Sequence, residues 1–69
     1  MRKLTGWEDK IANYGASYSI RHKNTEWTIE YFGTREGHHV FAGRDIATRD
    51  VDHCFYSMRD VLKSIRRER

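Results

Sequence analysis

Residues 19–30, SIRHKNTEWTIE, alternate apolar and polar side chains on both sides of a short polar segment. A period of two is typical of strands that bury one face. Two such segments around turn residues predict a β-hairpin, with the turn at Asn24 and Thr25. The face predicted to be buried carries Ile20, His22, Trp27 and Ile29, and the other carries Ser19, Arg21, Thr28 and Glu30.

The segments around the hairpin predict one more strand and two helices. Residues 4–15 favour a short helix, with a capping box from Thr5 to Glu8 and Gly15 after its last turn. Residues 38–43 indicate a third short strand, with either His39 and Phe41 or Val40 and Ala42 facing inward.

Residues 50–69 predict the longest element, an amphipathic helix that Thr48 or Asp50 would cap. Apolar residues recur in it at helical spacing, and Cys54 lies on that apolar stripe. The expected fold is a small single α+β domain spanning residues 1–69 in the order α-β-β-β-α. A short N-terminal helix would precede a three-stranded antiparallel β-meander, and the C-terminal amphipathic helix would pack on the sheet.

The length of 69 residues and the single cysteine limit how the fold is stabilised. A chain of this size buries only about 60% of the surface that its unfolded form exposes. One cysteine excludes an intrachain disulfide and, with no signal-peptide pattern, predicts a reducing, cytoplasmic location. No apolar run approaches the roughly 18 to 20 residues that a membrane span needs.

The net charge of +3 arises at one end of the chain. Residues 1–58 contain eight Lys or Arg and eight Asp or Glu, whereas residues 59–69 contain five and two. Such a basic end can attract phosphate or an acidic protein. It is equally explained by cations that offset the negative end of a helix dipole.

The polar residues form no recognisable catalytic or metal-binding pattern. The histidines are scattered, and no paired Cys or His spacing suitable for zinc is present. Neither glycine-containing segment, GTREG or AGRD, is a phosphate-binding loop. We therefore expect a protein that is not an enzyme and that has no metal or cofactor.

Binding to nucleic acid is one possibility that this composition leaves open. Aromatic side chains among basic groups can stack on bases, and a basic helix end can follow phosphates. The α-β-β-β-α order resembles that of double-stranded-RNA-binding domains. That family has lysines at the start of its last helix, where this sequence has the acidic RDVDHC.

We expect a small protein-binding regulator or inhibitor that docks on a larger macromolecular partner. By analogy with compact inhibitors, a phage or another mobile element is a plausible source. Arginine and aromatic side chains are enriched at interfaces. The alternatives are a nucleic-acid-binding accessory domain that uses the basic end of the last helix, and a homodimer. The residues predicted to contact the partner are Arg35, Arg59, Lys63, Arg66, Arg67 and Arg69, followed by Arg21 and Lys23.

Overall fold

A four-stranded antiparallel sheet carries two short helices on one face. The computed structural model describes residues 1–67. In chain order its elements are α1 (Gly6–Tyr14), β1 (Ser19–His22), β2 (Thr25–Arg35), β3 (His38–Asp45), β4 (Val51–Phe55) and α2 (Met58–Arg66). The strands lie side by side in chain order. The predicted α+β class, with a helix at either end of an antiparallel meander, is confirmed, but the predicted number of strands is wrong.

The fourth strand occupies residues that were predicted to begin the last helix. Val51 pairs with Arg44, and Phe55 pairs with Phe41. A segment as short as VDHCF fits both the helical period of 3.6 residues and the strand period of two. Pairing with the edge of β3 favours the strand. Cys54 is consequently exposed on a strand rather than buried on a helix. The extra strand also ends the similarity in element order to double-stranded-RNA-binding domains.

The helix α2 begins only after β4, at Met58. Its N-cap is Ser57, whose hydroxyl oxygen accepts a hydrogen bond from the Asp60 backbone N–H at 3.2 Å. The predicted caps, Thr48 and Asp50, instead lie in the loop before β4. A serine followed three residues later by an acidic residue is a local helix-start signal.

The β1–β2 hairpin turns one residue earlier than predicted. Lys23 and Asn24 form the turn, and both have positive φ, at 50° and 66°. Positive φ at both central residues is what a type I′ turn requires. Ile20 therefore faces Trp27 rather than Ile29. This shift of two positions leaves every side chain on its predicted face, because the strand period is two.

The core lies between the sheet and the helices. Phe41, Ile29, Val61 and Ile65 are its most deeply buried large side chains. Gly43 lets α2 approach β3 closely, since a Cβ atom there would lie 3.1 Å from the Ile65 Cδ1 atom. Two orientations were predicted for β3, and the structure has the one in which Phe41 faces the core. Trp27, predicted on the buried face, and the aromatic residues Tyr18 and Tyr31 of the same face all pack in or against this cluster.

The Glu8 carboxylate joins α1 to the first turn of α2. It receives two hydrogen bonds from the Arg2 guanidinium, at 2.7 and 2.8 Å, and a third from the Met58 backbone N–H at 2.8 Å. The predicted capping box is wrong, because Thr5 makes no side-chain capping bond and Glu8 turns toward Arg2 and Met58. Arg2 also donates to the Tyr56 carbonyl oxygen at 3.0 Å. The two helices are thus linked by polar bonds as well as by the core.

A histidine fixes the N-terminal segment against the sheet. His39 Nε2 lies 3.0 Å from the Arg2 carbonyl oxygen, and His39 Nδ1 lies 2.9 Å from the Tyr31 hydroxyl. A carbonyl oxygen only accepts, so His39 Nε2–H donates to it. This chain of bonds holds Arg2 beside Glu8.

Replacing Glu8 by Gln should lower the free energy of unfolding at neutral pH by about 1–2 kcal/mol, because a charge-assisted fork to Arg2 is lost. The hydrogen bonds from Arg2 hold the pKa of Glu8 below its ordinary value, against an opposing effect of burial. The stabilisation is therefore complete above the unfolded-state pKa of about 4.3 and is lost as pH falls through the lower folded-state pKa. Urea unfolding of wild type and Glu8→Gln at several pH values measures both effects.

Glu26→Gln is the matched control, since Glu26 pairs with Arg21 at 3.4 Å on the exposed sheet face. Its effect should stay within about 0.5 kcal/mol. Two results would contradict the proposed linking role of Glu8. One is an equal loss of unfolding free energy in the two variants, and the other is a difference between wild type and Glu8→Gln that stays constant as the pH is lowered.

Candidate functional site

An open groove of about 730 Å³ lies between α1 and α2. Apolar and aromatic side chains from both helices and from the segment before β1 line it, and cations from α2 form one of its walls. We call it the interhelix groove. Its lining includes Trp7, Tyr18, Met58, Leu62 and the three cations Arg59, Lys63 and Arg66.

Trp7 is the largest exposed side chain of the groove, with 45% of its surface accessible. The Tyr18 ring packs edge-on against it, with ring centroids 5.1 Å apart. Lys10 Nζ lies 4.9 Å from the centre of the Trp7 ring, within the range of a cation–π contact. The indole is therefore held in place while much of it stays accessible.

The exposure of Trp7 follows from how α1 sits on the sheet. Trp7, Ile11 and Tyr14 stand at i, i+4 and i+7, a spacing that places them on one face of a helix and indicates a buried face. Of the three, only Ile11 is buried, and Tyr14 is 77% exposed. A helix that contacts the core mainly through one residue leaves the aromatic groups on either side of that residue accessible.

The basic wall of the groove is a regular feature of α2. Arg59, Lys63 and Arg66 stand at positions i, i+4 and i+7, so they lie along one side of the helix over about 10 Å. We call them the basic row. Within residues 1–67 none of the three forms an ion pair, whereas the cations Arg2, Arg21 and Arg44 each pair with a glutamate. The basic row is therefore available to bind an anionic group.

The acidic residue in the groove does not cancel this charge. Glu8 lines the groove, but Arg2 neutralises its carboxylate at 2.7 Å, and the Met58 backbone N–H also donates to that carboxylate. Its side chain is only 17% exposed. The interhelix groove thus combines an apolar interior with a positive wall on the α2 side.

The structure brings together only part of the predicted partner-binding set. Arg59, Lys63 and Arg66 line the interhelix groove, and Arg67 lines a separate depression beside Phe55. Three other predicted residues lie apart from the groove: Arg35 borders a depression with Val40 and Tyr56, and Arg21 and Lys23 lie at the β1–β2 hairpin. Arg69 lies outside the described residues.

The sequence analysis did not identify the groove. Tyr18, Met58 and Leu62 pack in or against the core as their spacing predicts, and they also line the groove. Trp7 is the residue whose exposure the spacing did not predict. A tryptophan in the first turn of a helix only two to three turns long was an available signal, because so short a helix cannot bury a wide face.

The outer face of the sheet offers a weaker candidate surface. Arg44 Nε contacts Glu30 at 2.6 Å, and Arg21 contacts Glu26 at 3.4 Å. Of the two predicted partner-binding cations at the hairpin, Arg21 and Lys23, the first is thus neutralised by Glu26. Phe32, which strand alternation assigns to this face, is 45% exposed.

The polar groups of β4 were considered as metal ligands or nucleophiles. His53 Nδ1 lies 2.6 Å from the Ser64 hydroxyl, and the His53 ring packs edge-on against Trp27. Cys54 is exposed. In the part of the chain that the structure describes, no three His, Cys, Asp or Glu side chains are grouped so that they could hold a metal ion.

Comparison of the chain with protein-family models, with curated proteins and with solved structures finds no significant match. None of the helices within residues 1–67 has the length and apolar character required to span a membrane.

The groove's charge should be measurable without any partner. Iodide should quench the fluorescence of the accessible Trp7 more strongly than caesium does at low ionic strength, because nearby cations concentrate anions. Trp27 is 6% exposed and should contribute little to either signal. In an Arg59→Glu, Lys63→Glu variant the ratio of iodide to caesium quenching should fall by about twofold or more.

The control variant is Arg21→Glu, Lys23→Glu, which makes the same change in net charge at the distant hairpin. It should leave the ratio close to that of the wild type. A ratio near one in the wild type, or an equal fall in both variants, would contradict a local positive potential at Trp7.

Proposed function

We propose that the protein is a small non-enzymatic regulator or inhibitor that binds a larger protein partner through the interhelix groove. The observation that carries this proposal is the accessible Trp7 beside the basic row. Tryptophan, tyrosine and arginine dominate the energetics of protein interfaces when they meet a pocket or groove. Trp7, Tyr18, Arg59 and Arg66 supply these three residue types in one groove.

The aliphatic part of the groove favours a protein partner over a nucleic acid. Met58 and Leu62 line the groove together with the basic row, where a strand of nucleic acid would need polar or stacking groups. Tyr18 packs edge-on against Trp7 and does not extend it into a second stacking platform. An apolar interior with a charged margin is the usual anatomy of a protein interface.

A nucleic-acid-binding accessory domain is the second candidate. The observation that favours it is the placement of Lys10 over the Trp7 ring and of the basic row across the groove. One stacked base with its phosphates on the cations would use these groups. Such binding should weaken steeply with salt and be indifferent to sequence.

The test is capture of partners by the tagged full chain from a nuclease-treated lysate of its host cells, with two variants compared. Trp7→Ala, Lys63→Glu removes the groove's aromatic anchor and reverses one cation. Phe32→Ala, Lys23→Glu is the matched control, since Phe32 and Trp7 are both 45% exposed. We expect a stoichiometric protein whose affinity falls roughly 30-fold or more in the groove variant and less than about twofold in the control.

Equal capture by all three proteins would overturn the proposed use of the groove. Recovery of nucleic acid alone from untreated lysate, lost at higher salt, would overturn the protein-binding function in favour of the second candidate. Circular dichroism and melting curves show whether each variant is folded. A melting temperature that rises with protein concentration would identify a second copy of the chain as the partner.

A further inference from the structure

We infer that the interhelix groove receives an acidic amphipathic helix of the partner protein, with carboxylates facing the basic row and apolar side chains entering beside Trp7. This inference rests on the proposed function and names the chemistry of the ligand.

The charge of the groove requires an acidic ligand. Arg59, Lys63 and Arg66 have no ion-pair partner within residues 1–67, and the groove's own carboxylate is neutralised by Arg2. A basic ligand would meet unopposed repulsion along the α2 wall. Burying the three cations against a neutral ligand would leave them without a partner, which is costly.

The spacing of the cations matches a helix. The steps from Arg59 to Lys63 and from Lys63 to Arg66 correspond to rises of about 6 and 4.5 Å along α2. Glutamates at i, i+4 and i+7 of a helix lying alongside α2 repeat with the same steps. Same-side residues of an extended chain recur every 6.6 Å or so, so three of them would span about 13 Å rather than about 10 Å.

The size of the groove determines which part of the ligand enters. A volume of about 730 Å³ accommodates a few side chains. A whole helix, about 10–12 Å in diameter, does not fit inside it. The partner helix therefore lies over the groove and inserts one apolar stripe, the arrangement that amphipathic helices adopt in apolar grooves.

The two walls differ, and this orients the ligand. Three cations line the α2 side, whereas the α1 side presents the Trp7 indole with a single cation, Lys10, over its ring. The partner's carboxylates should accordingly flank one side of its apolar stripe, next to α2. The inserted side chains contact Trp7 and Leu62.

The experiment uses three synthetic helical peptides that lack tryptophan and tyrosine. The first places Leu at i, i+4 and i+8 and Glu along one side of that stripe. The second has the same composition permuted so that Leu and Glu are distributed around the helix. The third replaces the Glu residues of the first by Lys. Binding is followed by the emission of Trp7, which should shift to shorter wavelength when apolar side chains cover the indole.

We expect the first peptide to bind at low salt about tenfold or more tightly than the permuted one, and the Lys peptide not to bind measurably. Arg59→Glu, Lys63→Glu should weaken the first peptide by about tenfold or more, since two attractive pairs become repulsive. Arg21→Glu, Lys23→Glu should change its affinity by less than about twofold. Trp7→Ala should weaken binding measured by calorimetry, while Phe32→Ala should not.

Equal affinity for the ordered and permuted peptides would overturn the inference, because charge alone would then account for binding. Tighter binding of a single-stranded oligonucleotide of equal charge, in competition with the first peptide, would also overturn it. If the first peptide does not bind while partner capture still depends on Trp7 and Lys63, the inference fails and the proposed function stands. If capture does not depend on them, the proposed function itself fails.

Discussion

The bonds to the Glu8 carboxylate determine how the two helices sit relative to each other. The carboxylate accepts from Arg2 on one side and from the Met58 backbone N–H on the other. It therefore ties the first turn of α1 to the first turn of α2 across the open end of the core. A small domain with a thin core and one cysteine has few other means of fixing such an angle. Glu8 also lines the interhelix groove, so this link lies in the groove's wall.

The two helices cover the sheet incompletely, and this is the physical origin of the groove. Ile11 anchors α1 over the sheet, and Val61 and Ile65 anchor α2 where Gly43 allows close approach. Between these anchors Trp7 stays accessible. Helix α2 serves both the core and the groove, because Val61 and Ile65 face the core while the basic row lines the groove. Binding would then require little rearrangement of the backbone.

The sequence could predict the parts of the fold governed by a single clear period. The alternation around Trp27 predicted both faces of the hairpin correctly, although the turn lies at Lys23 and Asn24. Residues 51–55 fit both the helical and the strand period. Their pairing with β3 makes them a strand, and no local sequence pattern encodes that pairing. The three cations of the basic row were among the eight predicted to contact a partner, because charges are visible in the sequence, but their meeting in one groove was not predicted. The apolar side of the groove was not, because the exposure of Trp7 depends on the tertiary placement of α1.

Hydrogen exchange of the complex tests the central claim most directly. Backbone amide exchange would be compared between the free protein and the protein bound to its captured partner. The account predicts slower exchange in α1 and α2, around Trp7 and Lys63, with the β1–β2 hairpin unchanged. Protection confined to the hairpin and the outer face of the sheet, with both helices exchanging as in the free protein, would contradict it.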